Sequence, residues 1–143
     1  MNYGVIDVGS NTVRLCVYDV LCPEKRKFKT IMNRKIMAGL AAYIVDGAFS
    51  DEGIAEAILA VKKCLKRASY LSPDRVDVFA TAVLRNVSNS AQAIAAIEQG
   101  AGCAISLLSN SDEAHLGFVG ASSRGALDNG ALIDIGGGST EIT

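Results

Sequence analysis

Two stretches at opposite ends of this chain are written alike: Val5-Ile6-Asp7-Val8-Gly9-Ser10-Asn11-Thr12 and Leu132-Ile133-Asp134-Ile135-Gly136-Gly137-Gly138-Ser139-Thr140. Each is an apolar, β-prone run with an Asp near its end, followed by glycine and small hydroxyl or amide residues. Such a run predicts a strand that breaks into a tight turn. Three consecutive glycines weaken a strand unless something must approach its backbone closely. A glycine-rich turn lets several N–H groups converge on one anion, and Ser and Thr hydroxyls add donors. An Asp at the mouth of such a turn repels that anion unless a cation lies between them, and a magnesium ion held through water resolves the conflict. Two such turns could grip one phosphate chain from both sides.

The rest of the chain supplies an α/β frame. Residues 3–8, 12–20 and 26–33 read as three successive strands, with a turn at 22–25, "CPEK", before the third. After an irregular stretch at 34–50, Ser50 is the expected cap of a helix whose first turn carries Asp51 and Glu52. Ile54, Ile58, Val61, Leu65, Ala68 and Leu71 recur at helical spacing, and Lys62, Lys63, Lys66 and Arg67 read as its solvated face. A strand at 75–82 follows, then a helix over 89–99 capped by Ser88 or Ser90 and closed by Gly100. A strand at 103–108, a helix at 111–123 weakened by Gly117 and Gly120, and a strand at 130–135 complete the order.

Composition excludes several classes. The 143 residues carry a net charge of −1, so no global field recruits nucleic acid or an acidic membrane. No apolar run approaches the ~20 residues of a membrane span, and the N-terminus lacks the pattern of a signal peptide. Cys16, Cys22, Cys64 and Cys103 match no zinc or redox spacing, so they are expected as reduced core thiols of a cytoplasmic protein.

Two further stretches carry chemistry. "FATAVLRN" at 79–86 brings Arg85 to a strand end, where open α/β sheets keep ligands, and its planar fork of donors suits phosphate oxygens. "NSDEAHLG" at 110–117 puts Asp112 and Glu113 at a helix start, where compensation of the helix dipole is the plainer explanation. His115, the only histidine, lies across the helix from Glu113 and is read as a surface residue.

Taken together, "DVGSNTVRL" at 7–15, "ATAVLRNVSN" at 80–89, "DEAHLG" at 112–117 and "DIGGGSTEI" at 134–142 resemble the exopolyphosphatase and guanosine pentaphosphate phosphohydrolase family of the actin-like superfamily. The resemblance implies a ribonuclease-H-like lobe over residues 1–125: a mixed five-stranded sheet with flanking helices, in the order β-β-β-α-β-α-β-α. Residues 126–143 would begin a second lobe that is cut short. It implies a phosphoanhydride hydrolase acting on polyphosphate or guanosine pentaphosphate with magnesium, inactive as this fragment alone. A nucleotide-dependent kinase of the same superfamily and a non-catalytic phosphate-binding lobe are the alternatives.

By the same resemblance Glu113 is the catalytic glutamate and Glu141 a second acid handling water or metal. Arg85, Ser10, Asn11, Arg14, Gly136, Gly137, Gly138, Ser139 and Thr140 bind phosphate, and Asp7 and Asp134 are outer-shell magnesium contacts. The chain departs from the family at His115, where an arginine is usual, and at Met37, where a glycine is expected. With its own sheet missing, segment 130–143 is expected either to pair with a neighbouring molecule, giving a homodimer, or to fold back on its own lobe. The intermolecular outcome is the favoured one. In both, Asp134 and the glycine turn would not stand opposite Asp7.

Overall fold

The computed structural model describes residues 1–24, 27–123 and 130–143. The expected boundary at 125/126, the first residue of the third strand and the last of the turn at 22–25 lie outside them.

Three strands open the chain: β1 (Asn2–Val8), β2 (Thr12–Cys22) and β3 (Lys27–Met37). A 3₁₀ turn (Leu40–Tyr43) and a small hairpin of β4 (Ile44–Val45) and β5 (Ala48–Phe49) lead to α1 (Asp51–Ser69). Then come β6 (Arg75–Ala80), the short α2 (Ala82–Arg85), α3 (Ser90–Ala101), β7 (Ser106–Leu107) and α4 (Asn110–Ser122). Strands β8 (Ile133–Ile135) and β9 (Thr140–Ile142) close the chain.

The main sheet has five strands in the order β3-β2-β1-β6-β7. The first three form an antiparallel meander, while β6 lies parallel to β1 and β7 parallel to β6. This is the expected mixed five-stranded sheet of an actin-like lobe. One face of β1 and β2 is apolar at every second position, and Ile6, Val8, Val13, Leu15 and Val17 are fully buried there.

Helix α1 covers that face. Its cap is as read: Ser50 Oγ accepts from Gly53 N at 3.2 Å. Its innermost stripe is different. Gly53, Ala57, Ala60, Val61, Cys64 and Ala68 are buried, whereas Ile54, Ile58, Leu65 and Leu71 flank the core half-exposed. The helix lies too close to its neighbours for large side chains: a Cβ on Gly53 would stand 2.6 Å from Tyr43 Cβ. Lys62, Lys63, Lys66 and Arg67 are exposed, as a solvated face requires.

Other boundaries moved for identifiable reasons. β3 runs on to Met37, because Arg34–Met37 continue the ladder with Thr12–Leu15. As an edge strand it is exposed along most of its length, so its apolar alternation is weak. The strand expected over 103–108 is only Ser106–Leu107. Helix α3 is closed not by Gly100 but two residues later, by Gly102, left-handed at φ 74°. Gly100 lies inside α3, where any Cβ would collide with Ile58 Cδ1 of α1. Neither Ser88 nor Ser90 caps α3. The preceding residue is Asn89, and its amide bonds both Phe49 N and Phe49 O at 2.8 Å, tying α3 to β5. All four cysteine thiols are free, and among the described residues no helix is long and apolar enough to cross a membrane.

Segment 130–143 does not join the main sheet. β8 pairs antiparallel with β9 in a separate two-stranded sheet, Asp134 opposite Glu141, and Leu132 and Thr143 exchange backbone bonds beyond them. The turn is closed by Gly136 N donating to Ser139 O at 2.9 Å. A loop this short costs little closure entropy, so the hairpin satisfies its own backbone locally. The segment thus folds back on its own lobe, the second of the two outcomes expected from the sequence, as a self-paired hairpin rather than as an added strand of the main sheet.

Candidate active site

Each half of the site follows from a strand that ends in a turn. β1 carries Asp7 to its C-terminal end. The hairpin to β2 then closes with Gly9 N donating to Thr12 O at 3.0 Å. The loop after β3 braces this turn from behind: Ala38 N and Gly39 N donate to Asn11 O, and Ala41 N to Ser10 O. Gly39 makes that possible with a left-handed φ of 58°. Ser10 is buried as a result.

The second turn stands against the first. A Cβ on Gly137 would lie 2.8 Å from Asn11 Nδ2, and one on Gly138 would overlap Ser10 Oγ. The three glycines are thus needed for approach to the other turn as much as for any ligand. The hairpin also leans on α4. Thr143 Oγ1 donates to Ala114 O at 3.3 Å, and a Cβ on Gly117 would touch Asp134 Oδ2 at 3.7 Å.

Helix α4 begins with a capping box. Ser109 Oγ accepts from Asp112 N at 3.1 Å, and the Asp112 carboxylate accepts from Ser109 N at 3.4 Å. Asp112 is therefore spent on the cap, and Glu113 is not. Glu113 Oε2 accepts from Arg85 Nη1 at 2.8 Å, with both side chains largely buried. α2 makes this contact: it turns the chain immediately after β6, and the same Nη1 reaches Leu108 O at 2.9 Å. Arg85 Nε and Nη2 are buried and have no partner among the described residues.

Between the turns and α4 lies an open cleft of about 470 Å³. Of the residues singled out from the sequence, Asp7, Ser10, Asn11, Glu113, Asp134, Gly136, Gly137, Gly138, Ser139 and Glu141 line it. The expectation that Asp134 and the glycine turn stand away from Asp7 is thereby overturned. Arg85 lies behind Glu113 rather than on the wall, and Arg14 sits on β2 directly opposite Asp7. Thr140 lines a second groove with His115, which is exposed. Glu141, buried to 7 % exposure, borders both. The sequence reading did not single out Phe79, Thr81 and Gly117 on the cleft wall; only the glycines of α4 carried a signal, as unexplained breaks in helix propensity.

The electrostatics of the cleft are acidic. Asp7 opens to it, yet its carboxyl pKa is raised above the ordinary value of 3.8, first by burial among protein atoms and then by Glu113. Arg14 opposes the shift and Asp134 adds to it. The folded state therefore holds this proton more tightly than the unfolded chain. The cost of ionising Asp7 is absent well below pH 3.8, grows as pH rises past it, and is complete above the raised folded value. We expect Asp7→Asn to raise the melting temperature at pH 7 and to lose that advantage in acid. Melting curves across that pH range check it; an equal effect at both ends would mean the gain has another cause.

A model of the Ppx/GppA phosphatase family matches residues 22–143. Among solved structures, an exopolyphosphatase from Cytophaga hutchinsonii superposes with a TM-score of 0.88 at 27% identity, over 99% of this chain and 46% of that one. The type II variant of the Aquifex aeolicus Ppx/GppA phosphatase gives 0.82 at 23%, over 99% and 47%. The ethanolamine utilization protein EutJ from Carboxydothermus hydrogenoformans shares the fold more distantly, at 0.57 and 20%, over 100% of this chain and 50% of that one. The chain thus spans about half the length of the solved structures it matches. A family model that runs from the end of β2 through both α4 and the glycine hairpin leaves one assignment: the chain belongs to the Ppx/GppA phosphatase family.

Proposed function

We propose that this chain is the first lobe, with the opening hairpin of the second, of a hydrolase that removes phosphoryl groups from a phosphoanhydride chain, polyphosphate or guanosine pentaphosphate. The observation that carries the reading is the Arg85–Glu113 pair set directly behind the cleft where the two glycine turns meet. A carboxylate held at 2.8 Å by a buried arginine is fixed in position. That is what a base needs if it is to take a proton from water.

In this reading the terminal phosphoryl group lies against the backbone N–H groups and hydroxyls of Ser10, Asn11 and Gly136–Ser139. Glu113 orients the attacking water and accepts its proton. The charge spread over the phosphoryl oxygens is met by fixed donors, where most of the rate enhancement in such reactions arises. The two orphaned nitrogens of Arg85 lie behind Glu113, so a phosphate oxygen would satisfy them only if the Arg85–Glu113 pair opens toward the cleft. Glu141, at the base of the hairpin, is a second carboxylate for the same water or for a metal.

Magnesium fits the donor set. Asp7, Glu113 and Asp134 are hard oxygen ligands, and the last two both act against a negative charge on Asp7. Among the described residues no three His, Cys, Asp or Glu side chains are close enough to form a ready-made site, so the fit is to an ion held largely through water by Asp7 and Asp134. Such an ion would neutralise developing charge on the phosphate.

The test is phosphate release from long-chain polyphosphate, guanosine pentaphosphate and ATP. It is run on the 143-residue chain and on the same chain joined to the second half of the Cytophaga hutchinsonii exopolyphosphatase. We expect the short chain to stay at background, since a phosphate must be held against Glu113 from both sides, and the joined form to turn over. Hydrolysis of ATP alone would favour a nucleotide-dependent enzyme. A folded joined form inactive on all three would favour a non-catalytic lobe.

A further inference from the structure

Asparagine is among the residues best suited to cap a helix, and Asn89 stands directly before α3, yet its side chain caps nothing there. The amide is turned to β5 instead. It accepts from Phe49 N and donates to Phe49 O, both at 2.8 Å. One planar group that bonds both backbone atoms of a single residue fixes rotation as well as distance. Beside it, Ser88 N donates to Gly47 O at 2.8 Å. That carbonyl is presented by the tight turn between β4 and β5, with Asp46 at φ 49° and Gly47 at φ 77°. Where a local preference is given up for a distant contact, a functional constraint is the usual reason.

The other end of the same loop holds the first glycine turn. Ala38 N and Gly39 N donate to Asn11 O, and Ala41 N to Ser10 O. Within the loop Ser50 N donates to Tyr43 O and β4 pairs with β5, so segment 38–50 is bonded along its length. It forms a strap from the first turn to the residues just after Arg85. Helix α2, which carries Arg85, is only four residues long and has no side-chain cap. Its Val83 and Leu84 are buried, which fixes its depth, but apolar burial is non-directional and leaves its rotation to other contacts. The bonds at Ser88 and Asn89 supply that direction.

We propose that Asn89 is a positioning residue: through the strap at 38–50 it sets the Arg85–Glu113 pair in register with the turn at Ser10 and Asn11. The inference rests on the phosphoanhydride reading above, in which a phosphoryl group at that turn is attacked by water held on Glu113. An error in the relative placement of the two lowers the rate without removing any group that touches substrate.

Two substitutions test this. Asn89→Ala removes the bridge to Phe49. Asn89→Ser also removes it but leaves a good capping residue before α3. Native-state hydrogen exchange is measured on the 143-residue chain. In both variants the amides of Ala38, Gly39 and Ala41, at the far end of the strap, should exchange about tenfold faster, the scale of one lost hydrogen bond. Those of Ile6 and Leu15 in the central strands should keep their rates. In the joined, two-lobe form, kcat on polyphosphate should fall about tenfold at unchanged KM in both variants, each assayed well below its melting temperature. A residue that only supports the fold predicts the parental kcat in any variant that stays folded. Faster exchange confined to Phe49 and Ser88, equal acceleration at Ile6 and Leu15, or a parental kcat in folded Asn89→Ser overturns the proposal. A joined parent that releases no phosphate overturns the phosphoanhydride reading instead, and the exchange rates then decide by themselves whether the strap couples its two ends.

Discussion

Replacing Glu113 by Gln in the joined, two-lobe form should lower phosphate release by about 10²–10⁴-fold, the range a positioned general base supplies. Gln keeps the shape and still offers an oxygen to Arg85 Nη1, so the helix start and the cleft wall should persist. Substrate affinity should change little, because what is removed is the acceptor for the water's proton. Steady-state kinetics on polyphosphate check this. A rate within about threefold of the parent, roughly 0.6 kcal/mol of barrier, would reduce Glu113 to a helix-start acid paired with an arginine. The capping box already argues against that bland role, since Asp112 performs it.

Gly138→Ala should be nearly as damaging by a different route. The added Cβ would overlap Ser10 Oγ and stand 3.4 Å from Ala82 Cβ. The first turn cannot retreat, because Ser10 O and Asn11 O are bonded to the loop at 38–41. The hairpin must move instead, and with it Asp134 and Glu141. A misplacement of about 1 Å in a phosphate-holding group costs on the order of 10²-fold in rate. The melting temperature should fall modestly, since overpacking of this kind costs about 1–3 kcal/mol. Activity and stability measured on the same variant check the balance. Full activity would mean that the two turns are not held together in the working enzyme.

Much of this chain could be read from its residues because the relevant physics is local. The cap at Ser50, the solvated face of α1, the three-strand opening and the two Asp–Gly turns all depend on neighbours a few positions away. So does the order of elements, which together with four motif stretches was enough to suggest the family. Where reading failed, the deciding contact was distant. Ile54 and Ile58 recur at helical spacing and do pack against the core, but only at its flank. Tyr43 and Phe49 stand so close to Gly53 that no side chain fits there, and the buried stripe runs on through Ala57, Ala60, Val61, Cys64 and Ala68. Gly100 reads as a helix stop, yet it is the space for Ile58 of another helix, and the left-handed residue is Gly102. Asn89 reads as the first residue of a helix, yet it precedes α3 and its amide is spent on Phe49, forty residues back.

The site divides along the same line. The sequence by itself determined which groups exist: two glycine turns, each with an Asp before it, one arginine after a strand and one glutamate at a helix start. Only the tertiary structure decided their company. That Asp112 caps while Glu113 takes Arg85 depends on α2 folding the chain back under α4. That the glycine turn faces Ser10 and Asn11 depends on the hairpin packing against α4 and against the first turn, the latter more than a hundred residues away. Residues Asp7, Arg14 and Lys35 share a row only because β1, β2 and β3 pair in one register, and a slip of a single residue would send them to opposite faces.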